Sequence, residues 1–143
     1  MIVLDCSAAV GIVMGTDEGR AFGILLESEA DAEIVSSQLF LVEMASAFRK
    51  YVKAGLIDRR AALDRMDKAT RLVDRFVAVS EHYREAFTEA LRLDRSPYDM
   101  IYLTLARRNA ATLYTLDRNL MRVCEREGVD CVHEIRLDQG GTD

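Results

Sequence analysis

The 143-residue sequence has three cysteines, two histidines and one proline, and each scarcity removes a class of answer. Cys6, Cys124 and Cys131 are odd in number and form no C-x-x-C pair, which argues against a disulfide framework and against a zinc finger. His82 and His133 share no ligand spacing with each other or with the cysteines, so structural roles are expected for all five. Two histidines also leave little room for a nuclease with paired imidazoles or for a Ser-His-Asp triad. No Pro/Gly-rich linker, internal repeat or low-complexity tract divides the chain. The longest uncharged stretch, Cys6 to Thr16, is too short to cross a bilayer as a helix. The N-terminus lacks a basic segment, and Asp5 breaks its apolar run. Neither signal peptide nor membrane span is therefore expected, and a cytoplasmic location is.

Basic residues are outnumbered, 19 Lys and Arg against 24 Asp and Glu, for a net charge of −5. That balance works against nucleic acid, whose binding draws on Lys and Arg. Bound metal would neutralise several acids locally, and basic residues cluster at Arg49-Lys50, Arg59-Arg60, Arg107-Arg108 and Arg118-Arg122-Arg126. Solvated, ion-paired helix faces explain any one such cluster equally well.

What the chain does have is material for one well-packed domain: half its residues are hydrophobic and 30% charged. Apolar runs at Met1–Leu4, Ala32–Val35, Phe76–Val79, Thr112–Thr115 and Val129–Val132 predict five short strands. Helical patterns separate them. Ser37 to Lys53 carries Phe40, Met44, Ala47, Phe48 and Tyr51 on one stripe, with Gly55 at the position just past its end. Asp58 can cap the next helix, Ser96-Pro97 opens another, and Gly128 ends the helix that follows Asp117. Strands separated by helices imply crossover connections and a parallel sheet covered on both faces, an α/β fold with ligands beyond the carboxyl ends of the strands.

Four acids stand in apolar surroundings: Asp5, Glu43, Asp99 and Asp117. A carboxylate among buried side chains is costly unless something pairs with it. Convergence on a divalent metal relieves that cost, and hard cations such as Mg²⁺ take oxygen ligands at phosphate-handling sites. Helix capping is the plainer explanation for Asp5 and Asp117, and Asp99 stands three residues after Ser96 in capping-box spacing. Glu43 is harder to explain that way, because its helical neighbours Leu39, Phe40, Ser46 and Ala47 include no base. A tertiary Arg or a shared metal site is then its expected partner. Ser7 and Thr115 lie two residues from Asp5 and Asp117, where a hydroxyl can orient a carboxylate or meet a metal-bound water. Asn119 is a weaker candidate of the same kind.

In order, Leu4-Asp5-Cys6-Ser7-Ala8-Ala9-Val10, Val42-Glu43-Met44, Ser96-Pro97-Tyr98-Asp99-Met100-Ile101-Tyr102-Leu103-Thr104-Leu105-Ala106 and Tyr114-Thr115-Leu116-Asp117-Arg118-Asn119-Leu120 resemble the motifs of PIN-domain ribonucleases. The nearest resemblance is to the VapC-type toxins of bacterial toxin–antitoxin pairs. It implies a PIN-like three-layer α/β/α sandwich with a central parallel five-stranded sheet, over a single domain at 1–137 followed by a short flexible tail at 138–143. It further implies a Mg²⁺- or Mn²⁺-dependent ribonuclease that dimerises and is held inactive by a cognate antitoxin. The family's acidic cluster maps onto Asp5, Glu43, Asp99 and Asp117 as catalytic and metal-binding residues. The small hydroxyl of its first motif falls on Ser7, and Cys6 departs from the Thr often found there. Exposed RNA bases would stack on Tyr98 or Tyr102. A PIN nuclease of housekeeping RNA processing, or a catalytically silent RNA- or protein-binding module on the same fold, is the alternative. A haloacid-dehalogenase-type phosphatase is disfavoured because it needs a second Asp where Ser7 stands. A phosphorelay receiver is disfavoured because Val79-Ser80-Glu81 supplies no phosphoacceptor.

Overall fold

The computed structural model describes residues 1–132. His133 and the expected boundary between residues 137 and 138 lie outside them. Strands β1 (Ile2–Leu4), β2 (Ile34–Ser37), β3 (Arg75–Val77), β4 (Thr112–Tyr114) and β5 (Cys131–Val132) alternate with helices. These are α1 (Cys6–Met14), α2 (Asp17–Ser28), α3 (Leu39–Lys53), α4 (Arg59–Arg71), α5 (Tyr83–Leu93), α6 (Pro97–Arg108) and α7 (Arg118–Glu127). All strand pairings are parallel, in the spatial order β3-β2-β1-β4-β5. The chain steps outward from β1 through β2 to β3, then returns to the other side of β1 for β4 and β5. The switch point therefore lies between β1 and β4.

Both faces of the sheet are covered, and the two-residue period of β1 assigns them. Ile2 and Leu4 join one core with side chains of α1, α2, α3 and α4, whereas Val3 joins the opposite core with α5, α6 and α7. Helix α6 is apolar nearly all round, with Met100 through Ala106 buried, because it fills the second layer. Helices α1 and α2 meet backbone to backbone: a Cβ on Gly19 would stand 1.9 Å from the Gly11 carbonyl oxygen. Helix α3 ends as expected, with Gly55 at φ 73°, the Gly55 N–H donating to Val52 O and the Leu56 N–H to Tyr51 O. Asp58 caps α4 by accepting from the Ala61 N–H at 2.7 Å.

Strand boundaries depart from expectation where polar residues finish a strand or a helix end borrows an apolar one. Strand β2 runs two residues past Val35 because Ser36 and Ser37 are buried with their hydroxyls satisfied. Ser36 donates to Leu4 O at 2.6 Å, and Ser37 accepts from the Leu39 N–H at 3.1 Å. Strand β3 begins at Arg75 and ends at Val77, since Val79 enters a 3-10 turn. Strand β5 begins at Cys131 rather than Val129, because the Val129 N–H donates to Cys124 O and closes α7.

Candidate active site

The crossovers bring the four acids to the carboxyl edge of the sheet. Asp5 directly follows β1, and Asp117 lies three residues past β4, its neighbour across the switch point. Glu43 is in the second turn of α3, which leaves the same end of β2. Asp99 is in the first turn of α6, whose far end feeds the start of β4. Helices returning antiparallel to the strands put their N-terminal turns at this edge.

Asp5 is 4% exposed, and both its oxygens are engaged. Oδ1 accepts from Ser7 Oγ at 2.7 Å and from the Ala8 N–H at 2.9 Å, while Oδ2 accepts from Thr115 Oγ1. The two hydroxyls also fasten the segment after β4 to the one after β1, Ser7 Oγ by accepting from the Leu116 N–H at 2.9 Å and Thr115 by its donation to Asp5; Thr115 Oγ1 in turn accepts from the Asp117 N–H at 3.0 Å. Asp117 in turn caps α7, accepting from the N–H groups of Asn119 and Leu120 at 2.9 and 3.2 Å. Asp5 and Asp117 are thus both helix caps, as the plainer explanation has it. The Asn119 side chain is exposed at the start of α7. Asp99 completes no capping box: Ser96 accepts from the Tyr98 N–H at 3.2 Å, and no hydrogen bond runs from Asp99 back to Ser96 among the described residues.

Glu43 has a tertiary partner, and it is a phenol rather than an arginine. Tyr102 Oη donates to Glu43 Oε1 at 2.6 Å. Tyr102 is 3% exposed, so of the two tyrosines expected to stack on bases only Tyr98, 62% exposed, has a free ring. Burial and the facing Glu43 both push the Tyr102 phenol far upward, so it stays a donor. Tyr102 stands three residues after Asp99 on the same helix face, a spacing that made the partnership findable in the sequence.

Burial raises the proton affinity of Asp5 to about 7 despite its three hydrogen bonds, and Glu43 adds repulsion. Glu43 is raised by burial, partly offset by Tyr102, and further by Asp99 and Asp117. Asp99 is raised by burial and by Asp117, against a lowering by Arg95. Asp5, Glu43 and Asp99 therefore each sense another acid of the set, and among the described residues Arg95 is the cation that acts on Asp99. Cys6, between Asp5 and Ser7, is pushed up to about 12 by burial and by Glu43 and Asp5, so its thiol is no nucleophile at neutral pH. His82 is buried elsewhere, its imidazole kept neutral by burial and by Arg108.

Oxygen donors with unrelieved repulsion suit a hard divalent cation. Among the described residues, no three Asp, Glu, His or Cys side chains converge as placed to hold one ion. Mg²⁺ keeps several waters and needs only one or two carboxylates, so a set of oxygen donors that does not close around one point would still suit it.

Fold and site together define a parallel α/β sandwich with a carboxylate cluster at its switch point. The PIN domain family matches residues 2–126, and the chain belongs to that family. No curated protein matches it in sequence. Among solved structures it is similar to PAE2754 from Pyrobaculum aerophilum, with a TM-score of 0.66 and 21% identity over 85% of this chain and 84% of that one. It is also similar to Mycobacterium tuberculosis VapC20, a sarcin–ricin loop cleaving toxin, with a TM-score of 0.62 and 20% identity over 86% of this chain and 95% of that one.

Proposed function

We propose that the protein is a Mg²⁺- or Mn²⁺-dependent ribonuclease and the toxin of a toxin–antitoxin pair, cytoplasmic, homodimeric and restrained by a cognate antitoxin. The observation that carries the nuclease reading is the group of buried or half-buried acids, three of them with raised proton affinity, where the chain reverses direction across the sheet. Membership of the PIN family and the likeness to VapC20 support the toxin assignment.

Asp5, Asp99 and Asp117 are the residues that would hold the ion, with Glu43 completing the set. When bound, the ion offsets charge on the phosphate oxygens and lowers the pKa of a water molecule. The Ser7 and Thr115 hydroxyls fix the Asp5 carboxylate. Tyr102 occupies Oε1 of Glu43, which leaves Oε2 to take the proton from the attacking water. A carboxylate with raised proton affinity suits that role, because a general base works best with its pKa near the working pH.

The test is cleavage of a labelled RNA by purified protein with Mg²⁺, with Mn²⁺ and with EDTA. Cutting in either metal and none in chelator is the expected result. Robust cutting in EDTA would overturn the metal-dependent reading. For the toxin assignment, co-expression with the product of a neighbouring small reading frame should suppress the activity.

A further inference from the structure

We infer that the cleft between α1 and α3 is a nucleotide subsite, receiving one unpaired nucleotide of the RNA with Lys50 on its phosphate and Tyr51 beside its base. The inference rests on the ribonuclease reading and names where that substrate lies. The cleft has a volume of about 420 Å³, and its lining includes Cys6 and Val10 from α1 and Glu43, Ser46, Lys50 and Tyr51 from α3. It opens from the acidic site itself, since Glu43 is one of its walls. Residues 43, 46 and 50 follow one helix face, which puts Lys50 about 10 Å along the axis from Glu43.

Lys50 is exposed and makes no ion pair among the described residues, whereas Arg92, Arg107 and Arg108 are each tied to glutamates. A lysine left unneutralised at the far end of a cleft whose other end is walled by Glu43 meets an anion, and repels a basic protein segment. Val10 and the ring of Tyr51 supply apolar surface for a base; Tyr51 is steadied edge-on by Phe48, ring centroids 5.6 Å apart. The volume falls within the range of small-ligand pockets, enough for one nucleotide and too little for a stacked base pair. Unpaired bases are the ones that can leave their stack and lie against an aromatic side chain.

Steady-state cleavage of a labelled single-stranded oligoribonucleotide by wild type, Lys50→Ala, Lys50→Arg and Ser46→Phe, over a series of salt concentrations, tests the subsite. Lys50→Ala should raise KM several-fold with little change in kcat. It should also reduce the slope of log(1/KM) against log salt by about 0.7, the share of one phosphate contact on a single strand. Lys50→Arg should retain the slope. Ser46 is exposed, so Ser46→Phe should fill the cleft and raise KM about tenfold without altering the melting temperature. Wild-type KM and salt slope in both Lys50→Ala and Ser46→Phe would overturn the subsite and leave the ribonuclease reading standing. Absence of cleavage by the wild type in either metal would overturn both.

Discussion

Two groups of acids in this molecule are built in opposite ways. On the α5–α6–α7 side, Glu85, Glu89 and Glu127 are each met by guanidinium. Arg107 and Arg108 reach Glu85 at 2.9 and 2.7 Å, and Arg92 reaches Glu89 at 2.5 Å and Glu127 at 2.6 Å. Hydrogen bonds from Arg92 and Arg107 hold Glu89 below the usual carboxylate range, and those from Arg107 and Arg108 outweigh the burial of Glu85 with the same result. At the switch point, Asp5, Glu43 and Asp99 are raised: hydroxyls and a backbone N–H meet Asp5, a phenol meets Glu43, and the charge of Arg95 only partly offsets the shift of Asp99. One set is neutralised by the fold; the other is oriented but left with its charge unanswered. The contrast separates acids that arginines answer from acids that they do not, and it does so without reference to motif.

The sharpest way to break the contrast is to remove acids from each group. Asp5→Asn, Asp99→Asn and Asp117→Asn should each lower RNA cleavage by about a hundredfold or more, the usual scale for losing a metal ligand or proton-transfer group. Glu85→Gln and Glu89→Gln should leave turnover unchanged. Cleavage assays beside thermal melts measure both. Wild-type turnover in all three Asn variants would mean that Asp5 and Asp117 are caps and nothing more.

Stability against pH should next separate the groups by sign. A raised carboxylate binds its proton more tightly folded than unfolded, so its contribution is present at low pH and is lost as pH rises through the folded value. For Asp5 the window runs from about 3.8 to about 7. A lowered carboxylate contributes above its unfolded value and loses the contribution as pH falls, which places Glu85 and Glu89 on the acid side of 4.5. In EDTA, the melting temperature should pass through a maximum near the bottom of the first window and fall toward pH 7. Saturating Mg²⁺ should reverse that fall, adding about 2.7 kcal/mol at a hundred times its Kd. A flat profile from pH 4.5 to 7 in EDTA would contradict the unrelieved-charge account. Asp99 caps no helix, so Asp99→Asn should melt higher than wild type in EDTA at pH 7 and respond less to Mg²⁺.

Breaking the neutralised group tests it from the other side. Glu89→Gln leaves Arg92 and Arg107 with weaker acceptors and should destabilise the protein by about 1–2 kcal/mol, a value moderated because both arginines are substantially exposed. The loss should shrink in molar salt. Urea titrations at low and high NaCl measure it, and an effect independent of salt would point to packing instead.

Much of this contrast was legible in the sequence, and what was not has identifiable causes. The five strands, their parallel arrangement and the placement of Asp5 and Asp117 at strand ends follow from periodicity and punctuation. Ser36 and Ser37 hid the end of β2, because nothing local shows that a polar residue will find a tertiary partner. The acids themselves stood out only by their apolar surroundings. Arg107-Arg108 reads equally well as a nucleic-acid patch or an ion-paired face, and the structure shows the second, with Glu85 and Glu89 of α5 as partners. Lys50, in an equally plain basic pair, is exposed and lines the cleft of which Glu43 is a wall.

The smallest expected effect lies at the border of the two designs, where Tyr102 gives Glu43 its only hydrogen bond among the described residues. Tyr102→Phe keeps the buried ring in α6 and deletes one donor. A hydrogen bond to a charged group is worth about 1.5–3 kcal/mol, but Glu43 is half-buried and water can replace part of it, so stability should change by about 1 kcal/mol or less. Without the phenol, Glu43 loses the group that, among the described residues, lowers its proton affinity, and that affinity should rise further. The acid limb of the pH–rate profile should then move to higher pH, with kcat lowered on that limb and recovering toward wild type at the alkaline end. Should kcat drop equally at every pH, Tyr102 would orient Glu43 without tuning it. Should nothing change, Glu43 would not be the group that takes the proton.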